Sequence, residues 1–141
     1  MDIIIKVVKT KSELEQAFEI RRKVFIKEQN VPEEIEMDEF DVSSRHIMAI
    51  AENNPVGTAR WRKTKDGVKF ERFTVLKTHR GLGIGTDLVR FALNENRLEK
   101  HIYLNAQEGV IYFYKRFGFV TVGKQFFEAG IPHRKMVLKN K

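Results

Sequence analysis

Arg80-Gly81-Leu82-Gly83-Ile84-Gly85-Thr86 stands between an apolar run, Val68 to Leu76, and a stretch of helical spacing, Thr86 to Leu98. Strand, glycine-rich loop and helix in that order build an anion site. The first N–H groups of a helix have no partner inside it, and the helix dipole adds about half a positive charge there. Glycines let a ligand approach the backbone closely. Arg80 contributes a forked, permanently charged donor suited to phosphate. The segment therefore argues for a bound phosphate or pyrophosphate, on a fold that can present a strand end beside a helix start.

The 141-residue length fits one domain, residues 1–141, with a core that needs no staple. The chain has no cysteine, which excludes disulfides, thiol nucleophiles and cysteine-bound zinc. No His/Asp/Glu cluster has metal-ligand spacing, so no metal is expected. Met1 to Lys9 is too short and too interrupted for a signal peptide, and no apolar run reaches the roughly 20 residues of a spanning helix. A soluble, cytoplasmic protein is the expectation. Net charge is +7, yet six acids fall within the nine positions from Glu33 to Asp41. That stretch reads as a solvated acidic loop with one helical turn. The basic remainder carries no interleaved stacking aromatics and no DNA-reading motif, so no nucleic acid is expected.

Periodicity orders the elements. Ile3 to Val8 reads as a strand. Ser12 with Glu15 reads as a capping box opening a helix that runs to Gln29, before Asn30-Val31-Pro32 stops it. His46–Ala51, Val56–Lys63 and Val68–Leu76 read as three antiparallel strands, with Asp66-Gly67 as a hairpin turn. After helix Thr86–Leu98 come a strand, His101–Asn105, and a short helix, Val110–Phe117, ending at Gly118. Phe119–Phe127 and Arg134–Leu138 form a closing hairpin. The order β-α-β-β-β-α-β-α-β-β is that of a mixed α+β sheet.

Three kinds of glycine loop compete for Arg80–Thr86. A Walker A loop ends in Gly-Lys-Ser/Thr, which is missing. A dinucleotide fingerprint needs a third glycine where Thr86 stands, and a parallel sheet. Arg80-x-x-Gly83-x-Gly85, followed by Tyr114-Lys115-Arg116-Phe117-Gly118-Phe119, resembles the acetyl-coenzyme A loop and Tyr-x-x-x-Gly-Phe signature of the GNAT N-acetyltransferase superfamily. Val24–Pro32, Gly57–Arg60, Glu71–Val75, Leu104–Gln107 and Gly130–His133 resemble its ElaA-like branch. The resemblance covers nearly the whole chain. It implies a mostly antiparallel central sheet with splayed middle strands and helices on both faces.

It also implies roles. Arg80, Gly81, Leu82, Gly83, Ile84, Gly85 and Thr86 would hold the pyrophosphate, mostly through main-chain N–H groups. Phe73 and Val75 would offer backbone groups to the pantetheine, and Asn105 an amide. Tyr114 would donate to the departing thiolate. Glu28, Arg60 and His133 would line the acceptor pocket. Acetylating an amine requires its neutral form, so a base is needed. Period-two alternation puts Glu71 on one face with Phe73 and Val75, where apolar neighbours raise a carboxyl pKa. The competing reading of Glu71 is an ion pair with Arg60, Arg62 or Arg72. His133 and water stay open as alternatives. The expected activity is direct acetyl transfer from acetyl-coenzyme A to a small-molecule or peptide amine. A non-catalytic acyl-coenzyme A sensor is the other class, and monomer or homodimer is left open.

Overall fold

The β-branched run near the N-terminus forms one edge of a sheet, and the chain builds inward from it. The computed structural model describes residues 2–139. β1 (Ile3–Val7) pairs antiparallel with β2 (Arg45–Ala51), which leads antiparallel into β3 (Asn54–Thr64) and β4 (Gly67–Val75). β5 (Ile102–Gln107) lies parallel to β4. β7 (Ile131–Leu138) runs antiparallel to both β5 and β6 (Phe119–Glu128). Among the described residues these strands make one sheet in the order β1-β2-β3-β4-β5-β7-β6. The mixed, mostly antiparallel sheet matches the expectation.

Helices cover both faces. α1 (Lys11–Arg21) is capped by Thr10, whose side chain accepts from the N–H of Glu13 while Glu13 reaches back. The capping box thus sits two residues before the Ser12–Glu15 box expected. Both pairs fit the S/T-x-x-E spacing, and Thr10 follows the end of β1 more closely. The helix widens into a π-helical segment, Arg22–Glu28, and left-handed Asn30 (φ 59°) turns the chain away. α2 (Glu33–Glu36) is one turn. On the opposite face α3 (Ile84–Glu95) sends Ile84, Leu88, Val89 and Ala92 into the core, each at most 1 % exposed. Full burial of an aliphatic side chain of this size is worth about 1.5–3 kcal/mol. They meet Ile47, Ala49 and Ala51, alternate residues of β2, while His46 and Met48 face α1. α4 (Ile111–Lys115) completes this layer.

The sheet has one opening. β4 and β5 pair only at Val68–Ile102, Lys69–Tyr103 and Phe70–Leu104. β4 then continues to Val75 and β5 to Gln107 without further pairing, so the middle strands part. Edge N–H and C=O groups inside a fold need partners, and parted strands leave room for a ligand to supply them.

Candidate functional site

The glycine loop enters α3 through left-handed backbone. Gly81 and Gly83 hold φ of 79° and 84°, backbone that side-chain-bearing residues rarely adopt. Gly83 stands at the N-cap of α3, and no side chain caps that end. The N–H groups of Ile84, Gly85 and Thr86 therefore point out of the helix without a side-chain acceptor. A Cβ on Gly81 or Gly83 would meet nothing within 4 Å, so the space over the loop is open. Leu82 is half exposed, whereas the Ile84 side chain is fixed in the core and only its main chain is available. α3 begins at Ile84, two residues before the start expected at Thr86, which carries the helix up into the loop.

Arg80 is not a free fork. Its Nε donates to the Val75 carbonyl at 3.0 Å, and its two terminal nitrogens donate to the Glu28 carboxylate at 2.7 and 3.0 Å. The Arg80 hydrogen bond holds the Glu28 carboxyl below the usual range. Two residues assigned to separate halves of the site thus clasp each other across it.

A cavity of about 830 Å³ passes through the opening in the sheet. Phe25 and Glu28 line it from the α1 side, Gly83, Gly85 and Tyr114 from the α3–α4 side. Phe73, Val75 and Asn105 line it from the parted strands. The Tyr114 ring is enclosed by Phe73, Phe113 and Phe119 at centroid distances of 6.4, 5.1 and 6.0 Å. Its hydroxyl has no hydrogen-bond partner among the described residues, and burial pushes the phenol above its ordinary pKa, so it keeps its proton. Asn105 donates through Nδ2 to Glu128 Oε1 at 3.3 Å.

Glu71 corrects the sequence reading. The ladder between β3 and β4 slips between the pairs Thr58–Thr74 and Arg60–Glu71, and Arg72 takes φ 60°. The extra residue turns Phe73 onto the face of Phe70, their rings 5.5 Å apart, and leaves Glu71 on the other face. There Glu71 meets Arg62 at 2.8 Å, Arg60 at 3.1 Å and Lys69 at 3.2 Å. Burial alone would raise its carboxyl, but the Arg62 hydrogen bond and the charges of Arg60 and Lys69 outweigh it and hold the pKa low. The raised pKa expected from apolar neighbours does not arise.

Arg60 is also corrected. It is 0 % exposed, lies outside the cavity lining, and is clamped by Asp38, Asp41 and Glu71. The acidic stretch expected to be solvated supplies two of those partners, Asp38 and Asp41. Asp41 is shared by Arg60 and Arg21, and Glu36 by Arg21 and Arg72, with Glu36 and Arg21 both nearly inaccessible. Burial lifts the Glu36 carboxyl despite Arg72 and Arg21, whereas the Arg21 and Arg60 hydrogen bonds bring Asp41 down against its own burial. Sequence reasoning placed Arg21 only in the helical spacing of Leu14, Ala17, Phe18 and Phe25 and gave it no partner.

His133 comes to the cavity from β7, buried and stacked on Phe126. Among the described residues no helix is long and apolar enough to cross a membrane.

The model of the acetyltransferase (GNAT) domain matches residues 8–140. An uncharacterized N-acetyltransferase of Bacillus subtilis, YjcF, is 43% identical over 136 residues, covering 93% of this chain and 96% of its own. The crystal structure of Escherichia coli ElaA superposes with a TM-score of 0.88 at 29% identity, over 98% of this chain and 100% of that one. A GNAT family acetyltransferase from Elizabethkingia anophelis, solved with acetyl-CoA bound, shares the fold at a TM-score of 0.74 and 13% identity, over 96% of this chain and 97% of that one.

Proposed function

From the premise that the chain belongs to the GNAT acetyltransferase family, we propose that it moves an acetyl group from acetyl-coenzyme A to an amine by direct transfer. The observation that carries the reading is convergence. The uncapped start of α3, the edge of β4 that β5 leaves unpaired, and Tyr114, whose hydroxyl has no hydrogen-bond partner among the described residues, all line one cavity. An extended ligand with a pyrophosphate, two amides and a thioester matches those three features in order. The same fold holds acetyl-CoA in the E. anophelis protein.

When bound, the coenzyme supplies an activated acyl group; everything else falls to the chain. Main-chain N–H groups of Leu82 through Thr86 take the pyrophosphate, with Arg80 beside them. The backbone of Phe73 and Val75 and the amide of Asn105 align the pantetheine. Holding two reactants in register supplies most of the rate gain. Tyr114 donates a hydrogen bond to the departing sulfur. Full loss of its proton would strand a phenolate among aromatic rings, so donation is its role. Glu71 is committed to three cations, so His133 is the better placed base. The acceptor is a small-molecule or peptide amine.

Isothermal titration and thiol release test the reading together. Wild-type protein binds acetyl-coenzyme A, and Gly83→Trp, which fills the cradle, abolishes that binding. A wild-type chain that ignores acetyl-coenzyme A defeats the proposal. Binding without thiol release in the presence of any amine leaves the sensor class instead.

A further inference from the structure

Four carboxylates line the cavity, and three are spoken for. Glu28 holds Arg80, Glu36 holds Arg21 and Arg72, and Glu71 holds Arg60, Arg62 and Lys69. Glu128, at the end of β6, has no permanently charged partner among the described residues. Its side chain is 48% exposed, its Oε1 accepts from Asn105, and its Oε2 lies 3.8 Å from Nε2 of His133.

The His133 ring has one definite tautomer. Nδ1 lies 2.7 Å from the carbonyl oxygen of Ile131. A carbonyl only accepts, so Nδ1 carries the hydrogen and the lone pair of the neutral ring is on Nε2. That nitrogen faces the Glu128 carboxylate. Phe126 stacks on the ring at 5.9 Å. Gln107, paired with His133 across the sheet, and Asn105 are neutral amides. Lys135, two residues along β7, is turned to the ring of Tyr103 at 5.0 Å. Arg116, which also lines the cavity, is held over the ring of Phe117 at 5.9 Å.

Resting on the acyl-transfer reading above, we infer that Glu128 and His133 form the acceptor subsite for a primary amine arriving as its ammonium. Glu128 attracts the cation, the Ile131 carbonyl and the Phe126 ring hold His133 in place, and His133 Nε2 takes the proton. The ammonium N–H bond breaks and its electron pair stays on nitrogen. That pair forms the new bond to the acyl carbon as the C–S bond breaks and its pair leaves with sulfur. A second N–H proton leaves as the amide forms and ends on sulfur. His133 returns the first proton to water, so the balance is one amide, one thiol and one proton released. Asn105 links the subsite to the strand end assigned to the coenzyme, which sets the acceptor beside the reacting carbon.

Two measurements test this. Nitrogen-15 spectra of the imidazole are expected to show the Nδ1–H tautomer for His133 in the neutral range. With putrescine and n-butylamine as acceptors and thiol release as readout, Glu128→Gln, which keeps an oxygen for Asn105, raises the amine KM. His133→Asn cuts kcat by roughly 10²- to 10⁴-fold. An Nε2–H tautomer, or an amine KM unmoved by Glu128→Gln, overturns the subsite while acyl transfer stands. Absence of thiol release by the wild-type chain with both amines, beside the expected tautomer, counts against acyl transfer itself. Should His133→Asn fail to fold, the half-exposed Glu128 variant still carries the KM readout.

Discussion

Tyr114 and Glu71 are the two side chains whose surroundings matter most for chemistry, and they differ in kind. Tyr114 is a neutral donor kept neutral by its aromatic enclosure. Tyr114→Phe is expected to lower kcat by roughly 10²-fold or more while the acetyl-coenzyme A affinity from titration stays within about twofold. Equal turnover of the two proteins would remove the donor role. Glu71 is an anion kept anionic by three cations. Glu71→Gln leaves those cations facing one another in a buried place, which costs about 3 kcal/mol or more. The expected result is a clear fall in thermal midpoint with the rising limb of the pH–rate profile still in place. Loss of that limb in a folded variant would return the base to Glu71. A carboxylate two residues before a site residue was legible as a candidate. Its direction was not, because a left-handed Arg72 leaves no mark in the sequence.

Two electrostatic joints between elements bear on the site. One is the Arg80–Glu28 pair, which ties the end of the π-helical segment to the loop before α3. Both side chains are partly exposed, so the pair is worth at most about 1 kcal/mol. In the proposed complex an entering pyrophosphate would compete with Glu28 for the same nitrogens. Glu28→Gln is therefore expected to tighten acetyl-coenzyme A binding, by up to about fivefold in titration; weaker binding would mean that Glu28 serves the coenzyme rather than opposing it. The other joint is the buried network that fastens α1, α2 and β3 through Arg21, Glu36, Asp41 and Arg60. Asp38, Asp41 and Glu71 have folded pKa values below their ordinary 3.8, 3.8 and 4.5. Such groups contribute stability above their unfolded values, and it is lost as pH falls through the folded ones. Glu36, shifted upward, works in the opposite sense and offsets part of this. Chemical denaturation between pH 6 and pH 2 is expected to show stability falling once the pH drops through about 4. A flat profile would mean that the network contributes nothing.

For the whole molecule, the positive net charge is distributed over a body whose cavity has one carboxylate, Glu128, with no arginine or lysine partner among the described residues. Charge at the molecular scale therefore says little about the proposed acceptor, and this carboxylate says more. The order of elements along the chain, the β3–β4 hairpin (its turn at Lys65-Asp66, one residue before the expected Asp66-Gly67) and the glycine loop were readable in the chain because each rests on neighbours a few residues apart. Periodicity, turn chemistry and positive-φ glycines are local properties. The family was readable for the same reason, through Arg80 to Thr86 and Tyr114 to Phe119. The acidic stretch was misread because its partners are far away in sequence: Asp38 lies 22 residues from Arg60 and Asp41 lies 20 from Arg21. Composition sees charges there and expects water, since only proximity in the fold supplies the cations that permit burial. By itself, then, the sequence determined the sheet, the helices and the anion loop, all written in local spacing. The tertiary structure alone decided which way Glu71 points, that Arg60 is a clamp, that Arg80 is held by Glu28 and that His133 stands beside Glu128. Those outcomes depend on a one-residue bulge and on the parting of β4 from β5, where long-range packing chooses among backbone states that the local chain allows.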